Sequence, residues 1–230
     1  MEPFLPQGWR LYAGFAALLF AGFAAFAGLS EGPITAARPR PAPATPVEHY
    51  VLALSWSPSY CAEEADKRDH AQCGRPLGFI VHGLWPQFAD GRREKCDTDA
   101  PRVPNAIIDR LRPIMPSAGL IGYQWRKHGA CTGLSQGDYF ATLEDAYHRV
   151  RIPDALTLPA GVAHMSPEAV EAAFIAANPD LTAPMLDITC STTRLREVRI
   201  CLTPALDFVA CAREGNSCRQ GAVEIPPVSR

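Results

Sequence analysis

Apolar positions change their spacing along the chain, and the changes mark its elements. His49–Trp56 (HYVLALSW) is apolar with partial alternation, which predicts a strand. Leu77–Trp85 (LGFIVHGLW) predicts a second, bounded by Pro76 and Pro86. The period then lengthens. Val103–Met115 places Ile107, Ile108, Leu111 and Ile114 at helical spacing, with Pro113 near the end where a helix tolerates it best. Asp138–Val150 carries a stripe of Tyr139, Leu143, Ala146, Tyr147 and Val150 and predicts another helix. Ser166-Pro167-Glu168 supplies an N-cap serine followed by proline at the first helical position. That opens a helix to about Ala177, stopped by Pro179. Strands return at Met185–Cys190, Leu195–Leu202 and Asp207–Cys211. Helices in the middle and strands at both ends predict an α+β fold: a mainly antiparallel central sheet with flanking helices.

Ahead of the first strand the pattern has a different meaning. Arg10 precedes an apolar run from Leu11 to Leu29, and Ala25-Phe26-Ala27 has the small-x-small form read by signal peptidase. Residues 1–29 are expected to be a signal peptide cleaved after Ala27. An uncleaved N-terminal anchor is the alternative, because a run of about 19 residues can just span a bilayer. Residues 30–46 include GPITAARPRPAPATP, whose prolines favour a stiff extended linker. The folded domain is expected over residues 47–230.

Composition narrows the function. The hydrophobic share of 47% suffices for a core, and the net charge of −2 provides no basic field. A protein that coats nucleic acid needs such a field; an enzyme that touches one phosphodiester at a time needs only local cations. The eight cysteines, Cys61, Cys73, Cys96, Cys131, Cys190, Cys201, Cys211 and Cys218, are even in number and include no Cys-x-x-Cys pair. That argues for disulfides rather than zinc, and for an exported protein, periplasmic or secreted. No metal or other cofactor is expected. The Asn-x-Ser/Thr sequon is absent, so no N-glycosylation is expected either.

Two segments carry candidate chemistry. In Phe79–Gln87 (FIVHGLWPQ), His82 lies where an apolar strand meets a Gly and Pro break, a position at the rim of a sheet. A hydrogen-bonded structural histidine is the competing reading. In Tyr123–Cys131 (YQWRKHGAC), a helix would align Gln124 with both Lys127 and His128 and bring an amide, an ammonium and an imidazole to one face. A solvated amphipathic helix competes there.

Together the segments resemble the two active-site blocks of the ribonuclease T2 family. Residues 82–86 match its His-Gly-Leu-Trp-Pro block in full. Its second block, His-Glu-Trp-x-Lys-His-Gly-Thr-Cys, is matched at Trp125, Lys127, His128, Gly129 and Cys131, with Ala130 in place of threonine. Trp56–Cys61 (WSPSYC) and Val198–Leu202 (VRICL) are similar to its first and penultimate strand segments, so the resemblance covers roughly residues 48–228.

The resemblance implies an endoribonuclease that cleaves single-stranded RNA to 2′,3′-cyclic phosphate ends without a metal. His128 would be the base, His82 the acid and Lys127 the cation facing the transition state. Trp85 would offer a base a flat face, and Gln87 would meet the base edge with little base selectivity. It also implies the pairs Cys61–Cys73, Cys96–Cys131, Cys190–Cys218 and Cys201–Cys211. The bridge at Cys96–Cys131 would hold the two histidines in register. Two positions depart from the family: Tyr123 stands for a third histidine that helps hold the phosphate, and Gln124 for a glutamate. Tyr123 is expected to bind substrate by donating a hydrogen bond to a phosphate oxygen, and Gln124 to take the glutamate's catalytic place as a group that hydrogen-bonds but cannot ionise. An active, retuned enzyme is expected; a silenced relative that binds RNA or another partner is the alternative. His49, His70, His148 and His164 are not expected to be catalytic, and Arg126 faces either solvent or a phosphate. Single-stranded RNA is the expected partner, DNA is not, a membrane enters only through an uncleaved N-terminal segment, and the domain is expected to be a monomer.

Overall fold

The computed structural model describes residues 46–63, 71–91, 96, 98–157, 161–212, 218 and 221–228. The chain divides into two units, residues 1–40 and 41–230, and the described residues all lie in the second. The expected signal peptide, most of the linker and His70 fall outside them.

A four-stranded antiparallel sheet dominates, in the order β2-β1-β5-β4. Its strands are β1 (Val47–Trp56), β2 (Phe79–Phe88), β4 (Leu186–Cys190) and β5 (Leu195–Leu202). A small second sheet pairs β3 (Ala163–Met165) with β6 (Val223–Ile225). The helices are α1 (Ser57–Glu63), α2 (Asn105–Leu111), α3 (Ala118–Lys127), α4 (Gln136–Arg149) and α5 (Pro167–Ala177). The fold is thus the expected α+β arrangement, with four disulfides.

Register divides the sheet into two chemically different faces. Paired residues of an antiparallel ladder share a face, and neighbours along a strand alternate. Leu52 pairs with Leu84 and Ile200, and Leu54 with Val81 and Val198. All six are fully buried, and this face forms the core with the helices. From α4 come Tyr139, Phe140, Leu143 and Ala146, and from α5 Val170 and Phe174. The buried Tyr139 hydroxyl donates to the Leu84 carbonyl at 2.8 Å, which fixes α4 against β2. The opposite face carries Trp85 beside Val51, Gly83 and Arg199 beside Ala53, and Glu197 beside Ser55.

Local chemistry sets most boundaries. The hydroxyls of Ser117, Ser135 and Ser166 cap α3, α4 and α5 by accepting from Leu120, Asp138 and Ala169 N–H groups. The predicted helix over Val103–Met115 shrinks to α2 between Pro104 and Pro113. The strand predicted to stop before Pro86 continues through it to Phe88. β2 is an edge strand, where a missing N–H is tolerated. The strand predicted over Asp207–Cys211 is absent: one bridge, Leu202 to Phe208, remains. Thr203–Leu206 turns the chain sharply, with Leu206 at a φ of 66°, and Cys211 is tied back to Cys201.

Candidate active site

His82 owes its position to a β-bulge. Ala53 pairs with Gly83 and Leu54 with Val81, so His82 is an extra residue without a partner on β1. A bulge re-aims a side chain without ending the strand. His128 is placed differently. It caps the C-terminus of α3, its N–H donating to the Gln124 carbonyl at 2.9 Å, and a 3-10 turn at Gly129–Thr132 follows. The Cys96–Cys131 bridge, with Cα atoms 4.9 Å apart, anchors that turn. The other bridges join Cys61 to Cys73, Cys190 to Cys218 and Cys201 to Cys211.

Trp85 packs against both imidazoles. Its ring centroid is 5.3 Å from that of His82, edge to face, and 5.7 Å from that of His128, tilted by 31°. The indole Nε1–H donates to Gln124 Oε1 at 3.0 Å. Since an indole N–H can only donate, this bond fixes the amide oxygen toward the tryptophan. The Arg199 guanidinium lies 5.2 Å from the same ring. A cleft of about 420 Å³ opens beside it, lined by His49, Trp85, Gln87, His128, Asp187 and Arg199 among others. A smaller cavity of about 150 Å³ adjoins His82, bordered by Ser55, Tyr60, Leu120, Arg196 and Glu197.

A glycine follows each histidine, and packing explains both. A Cβ on Gly83 would overlap Gln124 Oε1 and lie 2.6 Å from Trp85 Nε1. A Cβ on Gly129 would lie 2.5 Å from Trp125 Cε3 and 2.7 Å from Tyr139 Cδ1.

The two histidines have opposite surroundings. Burial, then the positive charges of Lys127 and His82, lower the His128 pKa to about 4. His82 Nδ1 is hydrogen-bonded to Glu197 Oε1 at 2.5 Å. Glu197 is buried, which raises the pKa of its carboxyl, but the contacts with His82 and Arg199 outweigh burial and hold it at about 2. Ser55 Oγ also donates to Oε1, at 3.1 Å. Arg199 donates to Oε2 from Nε at 3.0 Å and Nη2 at 2.7 Å.

Gln124 is 1% exposed and holds Trp85. Lys127 Nζ lies 5.6 Å from the ring of Tyr123, which is 44% exposed and lies outside the large cleft's lining. Gln87 lines that cleft, its amide N–H₂ donating to the Trp85 and Pro86 carbonyls. Arg126 is exposed, as are His148 and His164. His49 is buried in the cleft wall; burial lowers its pKa, partly opposed by the Glu48 carboxylate. Sequence reasoning passed over Glu197, Arg199 and Ser55. Glu197 and Arg199 were detectable as opposite charges two apart in an apolar strand, which puts them on one face. Among the described residues no group of three His, Cys, Asp or Glu side chains is placed to hold a metal.

The Ribonuclease T2 family model matches residues 47–211, most of the chain. The chain belongs to the ribonuclease T2 family. A ribonuclease of Aeromonas hydrophila is 38% identical over 120 residues, which is 52% of this chain and 54% of that protein. The chain spans about half the length of the curated relatives it matches first. Two solved structures share the T2 fold. A ribonuclease-related protein from Calystegia sepium aligns with a TM-score of 0.63 and 22% identity, covering 80% of this chain and 99% of that one. A ribonuclease MC1 variant in complex with 5′-UMP aligns with a TM-score of 0.61 and 20% identity, covering 77% and 98%. At such identities the likeness is one of fold.

Proposed function

We propose that this T2-family chain is an endoribonuclease that cleaves single-stranded RNA by transesterification. One observation carries the reading: two imidazoles contact a single indole in opposite electrostatic surroundings. A neutral His128 has the lone pair a base needs, while His82 is set against a carboxylate, the surroundings of an acid. RNA brings its own nucleophile. His128 takes the proton of the ribose 2′-hydroxyl as the 2′-oxygen bonds to phosphorus. The bond from phosphorus to the 5′-oxygen breaks, and His82 delivers a proton to that leaving oxygen. The product is a 2′,3′-cyclic phosphate, which the pair hydrolyses with roles reversed. The nucleophile and both proton carriers are then organic groups, and the reaction needs no metal. Lys127 supplies positive charge to the transition state, and Trp85 and Gln87 line the cleft that receives the base. The MC1 variant in complex with 5′-UMP supports a nucleotide ligand for this fold. Four disulfides among eight cysteines support an exported protein.

Purified domain incubated with RNA in chelator, between pH 4 and 8, should yield cyclic-phosphate ends. His82→Ala and His128→Ala should each abolish them. RNA left intact throughout that range would favour the binding-protein reading instead.

A further inference from the structure

We infer that Glu197 is the positioning residue of the acid. Its carboxylate holds the Nδ1 proton of His82 and leaves Nε2 as the nitrogen that exchanges protons with RNA. The inference rests on the reading of His82 as the acid of the transesterification.

The carboxylate is placed by the sheet. Glu197 on β5 faces Ser55 on β1, on the face away from the core, and its side chain is 5% exposed. Four hydrogen bonds converge on its two oxygens. Burying a carboxylate is costly unless such donors surround it. The division of donors is the informative part. Among the described residues Arg199 donates to Oε2, and His82 and Ser55 share Oε1.

Proton bookkeeping shows what this arrangement does. To protonate the leaving 5′-oxygen, His82 must begin as an imidazolium with hydrogens on both nitrogens. The one on Nδ1 needs an acceptor, and Glu197 Oε1 is that acceptor. Once Nε2 has given up its proton, the ring is neutral with Nδ1–H still bound to Glu197. Its bare Nε2 is then the base required to activate water against the cyclic phosphate. One fixed carboxylate serves both half-reactions without moving.

A role limited to stapling β1 to β5 makes no such demand on the ring, and substitution separates the two. In Glu197→Gln, Arg199 has only donors and retains the amide oxygen. The N–H₂ group is turned toward His82, donates to Nδ1 and drives the ring proton to Nε2. That tautomer has no lone pair at Nε2, and the imidazolium would meet a donor at Nδ1. An inverted tautomer at a catalytic histidine lowers kcat by on the order of 10⁴-fold in the serine proteases.

The test combines ¹⁵N NMR of the His82 ring with steady-state kinetics. Wild type should show Nδ1 protonated and Nε2 bare in the neutral ring. Glu197→Gln should show the reverse, with kcat for RNA cleavage down by on the order of 10²–10⁴-fold and KM within about threefold. The wild-type spectrum stands even if the variant fails to fold. An Nε2–H tautomer in active wild type would overturn this inference alone, as would a folded Glu197→Gln with kcat within threefold of wild type. RNA left uncut by wild type would overturn the proposed function as well.

Discussion

Replacing Gly83 with alanine tests how tightly the two active-site blocks interlock. Gly83 is not among the residues with positive φ, so its lack of a side chain serves space rather than backbone freedom. The new methyl would overlap Gln124 Oε1 and press to 2.6 Å from Trp85 Nε1 and 2.7 Å from Gln124 Cδ. Ordinary contact lies near 3.5 Å or beyond, so about an ångström must be found by moving the amide, the indole or the strand. Overpacking of this kind costs about 1–3 kcal/mol. Gln124→Ala should cost a similar amount, because it strips the acceptor from the Trp85 N–H. The double variant is the informative one. With Gln124 shortened two of the three clashes are gone and the indole, no longer tied to the amide, is free to shift from the third, so Gly83→Ala should cost at least about 1 kcal/mol less than in wild type. Urea unfolding of the four proteins would measure the coupling, and single-variant Tm losses should be about 2–4 °C per kcal/mol for a domain of this size. Additive free energies would refute the packing argument. Activity should fall in both single variants, since both displace the ring that the two histidines contact.

Three further outcomes follow from the electrostatics and the bridges. The rate should fall as pH drops through about 4, where His128 gains a proton and stops acting as base. Lys127→Met removes one of the charges that lower this pKa, so the acid limb should move to higher pH; an unmoved limb would count against His128 as the base. Glu197 should make folding acid-sensitive in a defined window. Its folded pKa is depressed from 4.5 to about 2, so its stabilisation is fully present above 4.5 and lost as pH falls toward 2. The loss should be about 3 kcal/mol, visible as a slope in urea midpoints that Glu197→Gln abolishes. Replacing Cys96 and Cys131 together by alanine should cost about 2–4 kcal/mol. Because the bridge anchors the turn after His128, kcat should also fall at temperatures where the variant remains folded.

The fold was legible where pattern and physics coincide. β1 and β5 bury alternate apolar residues, an apolar stripe announced α4, and the Ser166 cap announced α5. The shortfall has local causes. Apolar spacing cannot reveal that Pro104 and Pro113 clip α2, nor that the ring of Pro86 sits harmlessly on an edge strand. Val209 and Phe208 read as a strand, yet the turn before them and the bridge from Cys201 leave room for only an irregular return. At the site, His82, His128 and Trp85 were visible because each carries a recognisable side chain within a short block. The charges of Glu197 and Arg199 share a face in the sequence, but the contact of Glu197 with His82 crosses from β5 to β2, through a register that no local window contains.

The bulge at His82 has an evolutionary reading. A residue without a partner on β1 is supernumerary to the ladder, whose pairs run from Gly83 directly to Val81. The scaffold therefore hosts its imidazole as a guest. The lineage could vary that guest, silence it or restore it while the strands kept their neighbours. A protein lacking histidine at this position would still be expected to fold as a T2 domain, and architecture alone should not be taken as a certificate of activity within this family.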